Sequence, residues 1–313
     1  KSVSKRFGSI QAVDSVSFTV DRGEVLGFLG PNGAGKSTTM RMITGFLIPT
    51  SGSASVCGYD LAEDGIGARS RLGYLPEGAP LYGDMTALEF LRFTASVRGL
   101  PISKATDRIN WVVGQLGLGP VLAQPIETLS KGFKRRVGLA QSVLHDPDVL
   151  ILDEPTDGLD PNQKHEVRGL IRTMSEHKAI IISTHLLEEV DAVCTRAMVI
   201  NRGKVITDCT PDELASQSRH RNAVTVCAKS SSGGDLRVTL EGLEGVLAVE
   251  PVPDKTSSDC FVAFPKGGKS IVGEVTRHLQ DRGWEIEELG VDSGRLDEVF
   301  RDLTISGNSK PLH

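Results

Sequence analysis

The stretch Gly30-Pro31-Asn32-Gly33-Ala34-Gly35-Lys36-Ser37-Thr38 constrains what this chain can fold into more than any other. It fits the pattern G-x-x-x-x-G-K-[ST], in which main-chain N–H groups wrap a phosphate chain and side chains at the glycine positions would obstruct that approach. Its flanks agree. Glu24-Val25-Leu26-Gly27-Phe28-Leu29 predicts a short buried strand, and Ser37 to Thr44 the opening turns of a helix. Strand, glycine-rich loop and helix in that order predict an α/β chain with a nucleotide at the helix start, where the dipole favours anions.

The residue types then take chemical assignments. Lys36 brings a point charge to the β and γ phosphates, the Ser37 hydroxyl is an Mg²⁺ ligand, and Thr38 serves the α/β side. Asn32, Gly33 and Gly35 complete the expected cradle.

Composition sets outer bounds. At 313 residues the chain has room for one sizeable domain and a smaller one. Its net charge of −5 argues against a nucleic-acid carrier, so no nucleic-acid partner is expected. Cys57, Cys194, Cys209, Cys227 and Cys260 lie far apart without a C-x-x-C pair. That spacing suggests neither a zinc site nor a disulfide framework and fits a reducing cytosol. No apolar run approaches the ~20 residues of a membrane-spanning helix, and nothing at the start resembles a signal peptide. Membrane contact is therefore expected to need a partner.

The sequence enters mid-pattern without a methionine, as if a first strand had lost its opening residues. Val13, Val16, Phe18 and Val20 are spaced as strand residues, and Phe7 upstream of the phosphate loop is an aromatic suited to stacking on adenine. Ser53 to Gly58 and Arg71 to Pro76 predict further strands, the second stopped by proline and followed by Glu77. Met85 to Leu100, capped by Asp84, then Ser103 to Leu116 and Lys131 to Leu144, predict three helices, an inserted helical subdomain over about residues 78–145.

Asp148-Val149-Leu150-Ile151-Leu152-Asp153-Glu154-Pro155 is an apolar run without alternation, as a parallel strand covered on both faces requires, and it ends in two carboxylates. At the carboxyl end of such a strand they lie in the ligand crevice of an open sheet. Asp153 is placed to hold Mg²⁺ through water and Glu154 to take a proton from the attacking water. A further strand, Ala179 to Thr184, delivers His185 to the same edge as a γ-phosphate contact.

Leu129-Ser130-Lys131-Gly132-Phe133 before the acidic strand and Thr156-Asp157-Gly158-Leu159-Asp160-Pro161 after it complete an ordered set of motifs. In this order and spacing, over about residues 1–215, the chain resembles the ATP-binding subunits of ABC transporters. The resemblance implies a head-to-tail dimer in which two ATP molecules lie between the phosphate loop of one subunit and the signature segment of the other. Ser130 and Gly132 would then face a γ-phosphate across the interface. It further implies that Phe7 stacks on adenine, that Glu77 stands at the position sensing Mg²⁺ and a transmembrane partner, and that Asp160 couples the two sites. The chain departs from the usual pattern with LSKGF for LSGGQ and Glu77 for glutamine. Both changes resemble the branch of exporters that includes gliding-motility, drug and polysaccharide export subunits.

Ser216 to Arg221 reads as a polar linker. Beyond it the order strand-helix-strand-strand-helix-strand, then a last helix bearing Leu296, Val299, Phe300 and Leu303, predicts a small ferredoxin-like α+β accessory domain over residues 222–305. The chain is expected to fray beyond Ser306. The expectation for the whole is an ATPase using ATP and Mg²⁺, peripheral on the cytoplasmic face of the cell membrane, with a transmembrane permease and a second ATPase subunit as partners. Its rivals are a soluble ATPase of the same superfamily acting on ribosomes or DNA, and a regulatory subunit with weak turnover.

Overall fold

The computed structural model describes residues 1–230, 233–252 and 260–305. The chain divides into two compact units, Lys1–Pro211 and Asp212–His313. In the first, β1 (Val3–Phe7) and β2 (Ile10–Val16) form an antiparallel pair. Phe18 and Val20, expected as strand residues, lie past the end of β2. They pack against the same apolar cluster as Val13 and Val16, so they keep the spacing of a strand without its ladder.

β3 (Val25–Leu29), buried at every residue, leads through the phosphate loop into α1 (Lys36–Ile43). The short pair β4 (Ser55–Val56) and β5 (Tyr59–Asp60) precedes α2 (Gly65–Ser70) and β6 (Leu72–Leu75). The expected helical insertion follows as α3 (Ala87–Val97), α4 (Ile102–Gln115) and α5 (Lys131–Val143). The start of α3 differs from expectation. Thr86, not Asp84, is the cap: its hydroxyl accepts from Glu89 N, and the Glu89 carboxylate accepts from Thr86 N. This reciprocal box satisfies two helix-end donors at once, and a cap of this kind contributes about 1 kcal/mol.

β7 (Val149–Asp153), α6 (Pro161–Ser175), β8 (Ala179–Thr184), α7 (Leu187–Val193), β9 (Arg196–Asn201) and β10 (Lys204–Cys209) complete the unit. The sheet runs β10-β9-β3-β8-β7-β6, with only β10 antiparallel to its neighbour. Side chains alternate between two cores. Leu150, Leu152, Ile180 and Ile182 join one cluster, while Ile151, Ile181, Leu26 and Phe28 join the other. Burial on both faces explains the uninterrupted apolar runs. Among the described residues no helix is long and apolar enough to cross a membrane.

His145, just past α5, sits against the end of this core, with Nε2 3.1 Å from Leu72 O and Nδ1 buried without a partner. Burial, reinforced by the nearby Arg98, lowers its pKa from 6.5 to about 4. Below pH 6.5 the unfolded chain protonates this histidine while the folded chain does not, so stability falls as pH drops from 6.5 towards 4. Replacing His145 with Gln is expected to remove a contribution on the order of 2–3 kcal/mol from that acid loss, read as a flatter pH dependence of urea midpoints.

The second unit opens with α8 (Pro211–Ser216) and continues as β11 (Val224–Ser230), α9 (Leu236–Glu241), β12 (Val246–Pro251), β13 (Cys260–Pro265), α10 (Val272–Asp281), β14 (Trp284–Val291) and α11 (Leu296–Ile305). Its antiparallel sheet has the order β12-β13-β11-β14, the ferredoxin-like arrangement that the element order predicts. Val224, Val226, Leu240, Val275 and Leu279 fill its core.

Two expectations for this unit are corrected. The polar stretch from Ser216 to Arg221 is not a free linker: Ser218 donates to Glu298 at 2.6 Å, His220 Nδ1 lies 2.9 Å from the same carboxylate, and Arg219 stacks over Phe264. Ser218 and His220 thus turn to a packed carboxylate, while Ser216, Gln217 and Arg219 are exposed. The cysteines also depart from the reading of their spacing, because Cys227 and Cys260 form a disulfide. The residues stand directly opposite each other on β11 and β13, a juxtaposition set by sheet register, to which their 33-residue separation gives no clue. The expected fraying beyond Ser306 lies outside the described residues.

Candidate functional site

The parallel strands bring the ends of β3, β8, β7 and β6 to one edge, and a cavity of about 330 Å³ opens there. Asn32, Gly33, Gly35, Lys36, Ser37, Thr38, Glu77, Asp153 and Glu154 are among its lining residues. Gly35 caps α1 with φ 107, and a Cβ there would stand 2.6 Å from Ala12 O. Only glycine satisfies both the dihedral and the close approach.

Lys36 is 7% exposed, and its ammonium donates to Gly30 O at 2.6 Å and Pro31 O at 3.3 Å. Burial holds its pKa below the ordinary lysine value, against the pull of Glu154, Asp153 and Glu77. The positive charge thus lies near three carboxylates, and its hydrogen bonds among the described residues go to loop carbonyls.

Asp153 ends β7 at 2% exposure. Glu154, the next residue, adopts φ 52, and its N–H donates to Ser183 O at 2.8 Å. The left-handed turn directs the chain out of the sheet at the cavity wall. His185 Nδ1 lies 2.8 Å from Glu154 Oε1, so the proton of that contact belongs on Nδ1 when the carboxylate is ionised. Thr184 Oγ1 stands 3.5 Å from the other oxygen of Glu154.

The donor set at the cavity, the Ser37 hydroxyl with the carboxylates of Asp153 and Glu77, is all oxygen, as Mg²⁺ requires. Among the described residues no group of three His, Cys, Asp or Glu forms a ready metal cage.

Phe7, Ser130, Gly132, Asp160 and His185 do not line this cavity. Phe7 is half exposed, with Lys5 Nζ 5.3 Å from its ring centre. Ser130 caps α5 by accepting from Phe133 N, and Asp160 caps α6 by accepting from Gln163 N. A Cβ on Gly132 would stand 2.9 Å from Oε1 at the movable end of the Gln163 side chain and 3.2 Å from Gly158 O in the loop before α6, so the two segments pack closely here. Lys131 is paired with Asp157 at 2.8 Å and holds that carboxyl below its usual range. Phe133 turns inward beneath the Arg136 guanidinium, 4.2 Å from its ring centre.

Two residues that sequence reasoning passed over belong to the site's frame. Arg135, 6% exposed, donates to the carbonyls of Pro76 and Glu77, each at 2.8 Å, to that of Glu154 at 2.6 Å, and to that of Asp153. Glu189, 1% exposed, accepts from the Thr156 hydroxyl, and burial pushes its carboxyl pKa up. The available signal was an ionisable residue on a buried helical stripe: Arg135 falls three residues after Gly132 and four before Leu139, both buried, and Glu189 four before Val193.

The family pattern described as "ABC transporter" matches residues 13–157. The Nod factor export ATP-binding protein I of Ralstonia nicotianae is 37% identical over 301 residues, covering 96% of this chain and 91% of that protein. The chain belongs to the ATP-binding subunits of ABC transporters. Its ATPase core is that family's, with the phosphate loop, acidic strand and histidine at one sheet edge. The probable multidrug ABC transporter ATP-binding protein YbhF of Escherichia coli K12 is 43% identical over 219 residues, which cover 70% of this chain and 38% of YbhF. The chain thus spans well under half the length of that relative. A solved ATP-binding subunit of an ABC transporter superposes with a TM-score of 0.65 at 32% identity, covering 69% of this chain and 91% of the other.

Proposed function

We propose that this subunit hydrolyses ATP at the cytoplasmic face of a membrane and drives export through a separate transmembrane permease, working as a pair of copies. The observation that carries the reading is the Glu154–His185 contact at the wall of the phosphate-loop cavity. It sets a carboxylate of the kind that can accept a proton from water against a ring that, when it carries a proton on both nitrogens, can donate from Nε2 to a phosphate oxygen. The names of the relatives support export, since one is a Nod factor export subunit and the other a probable multidrug transporter subunit.

In this reading the main-chain N–H groups of Gly33 and Gly35 and the start of α1 bind the phosphate chain. Lys36 leaves the carbonyls of Gly30 and Pro31 for the β and γ phosphates. Ser37, Asp153 and Glu77 hold Mg²⁺, which when bound neutralises charge developing on the phosphates. Glu154 takes the proton of the attacking water, and His185 steadies the γ-phosphate. Ser130 and Gly132, away from the cavity of their own chain, serve the nucleotide of a second copy, and Asp160 lies in the loop between the two sites. Phe7 offers its exposed face to adenine. The ferredoxin-like unit is an accessory to this ATPase.

The test is a membrane pull-down with the Glu154→Gln chain and bound ATP. Recovery of a polytopic membrane protein is expected. Recovery of ribosomal proteins in its place would overturn the transport reading in favour of a soluble mechanical ATPase.

A further inference from the structure

We infer that Arg135 is a positioning residue for hydrolysis, the single side chain through which the signature helix sets both the Glu77 turn and the main chain of Glu154. The inference rests on Glu154 being the general base. Its ground is geometric. The guanidinium is buried and spends four hydrogen bonds on main-chain carbonyls, two at Pro76 and Glu77 and two at Asp153 and Glu154. Nε has no partner, so the fork is used only along its outer edge. Those carbonyls come from the loop after β6 and the end of β7, which donate no main-chain hydrogen bond to each other beyond the strands themselves.

Arg135 lies on α5, the helix whose first turn carries Ser130 and Gly132. A displacement of α5 is therefore passed to the carbonyls of Glu77 and Glu154 through the Arg135 side chain itself, which bonds to both directly. The Glu154 end is sensitive to it. That residue is held at φ 52, a conformation that a non-glycine residue keeps only when its surroundings specify it. Arg135 supplies part of that specification by holding the carbonyls on both sides of the Glu154 φ and ψ rotations. A planar fork reaches all four oxygens at once. A lysine ammonium, a single point with three donors, does not.

The test uses the full chain with Arg135→Ala and Arg135→Lys, measuring kcat, KM for ATP and the affinity for a fluorescent ATP analogue, with Glu154→Gln alongside. Arg135→Ala is expected to lower kcat on the order of 10- to 100-fold, the cost of a base displaced by about 1 Å. Nucleotide affinity measured without Mg²⁺ should stay within about two-fold, because the hydrogen bonds of Arg135 go to Pro76, Glu77, Asp153 and Glu154 and none to the phosphate loop. Arg135→Lys should fall between, and guanidinium added at millimolar concentration should restore part of the Arg135→Ala rate. A folded Arg135→Lys or Arg135→Ala chain turning over at the parental rate would overturn the inference. So would kcat and affinity lost in parallel, or failure of both variants to fold, since either makes Arg135 a brace of the fold. If Glu154→Gln itself keeps full turnover, the base assignment fails first and the two failures are told apart.

Discussion

Glu154→Gln is expected to lower kcat by a factor on the order of 10²–10⁴ while ATP is still bound, because the amide cannot accept the proton of the attacking water. The substitution keeps the shape of the side chain and one oxygen, so the left-handed turn at φ 52, the bond that residue 154 N–H donates to Ser183 O and the one its carbonyl accepts from Arg135 survive. What is lost is a carboxylate that is only 13% exposed and faces His185 at 2.8 Å. Retained binding with lost turnover should let the nucleotide-bound pair of subunits accumulate. Single-turnover kinetics and size-exclusion chromatography with ATP read the two halves of this expectation, and a parental rate would remove Glu154 from the role.

Lys36→Ala is expected to act on binding itself. The ammonium is buried among Glu154, Asp153 and Glu77, and deleting it leaves the cavity with uncompensated negative charge where a polyanion must enter. Losing a buried charged partner costs about 10²–10³-fold in affinity. Calorimetry with ATP should show that loss while the melting temperature stays near or above the parental value, because Lys36 satisfies only loop carbonyls and is held below its ordinary pKa by burial. Nucleotide affinity within a few-fold of the parent would contradict the assignment.

The phosphate loop and the acidic strand were legible because their residue types are dictated by local chemistry. Gly35 has no substitute at φ 107, and Val149 to Leu152 can be continuously apolar only in a strand covered on both faces. Residues whose roles depend on distant partners were not. Cys227 meets Cys260 through the register of β11 and β13. Arg135 reads as one more cation in a basic run until the fold brings four carbonyls around it. Phe133, the last residue of the altered signature, packs under Arg136 and against the apolar core. The polar stretch before β11 carries the same lesson: hydrophilic residues marked a linker only as long as Glu298 was not seen beside them.

The strand order β3-β8-β7-β6 acts as a gauge. Neighbouring strands lie about 4.8 Å apart, so the anchor of the phosphate loop and that of the Glu77 turn are held roughly 14 Å from each other, with Asp153 and His185 rooted between them. That interval is fixed by a ladder of main-chain hydrogen bonds which no side-chain rearrangement can stretch. The rigid scale lies beneath the ligand, and the adjustable parts are confined to the loops that rise from its marks, so each turn of the ATPase cycle begins from the same calibrated spacing.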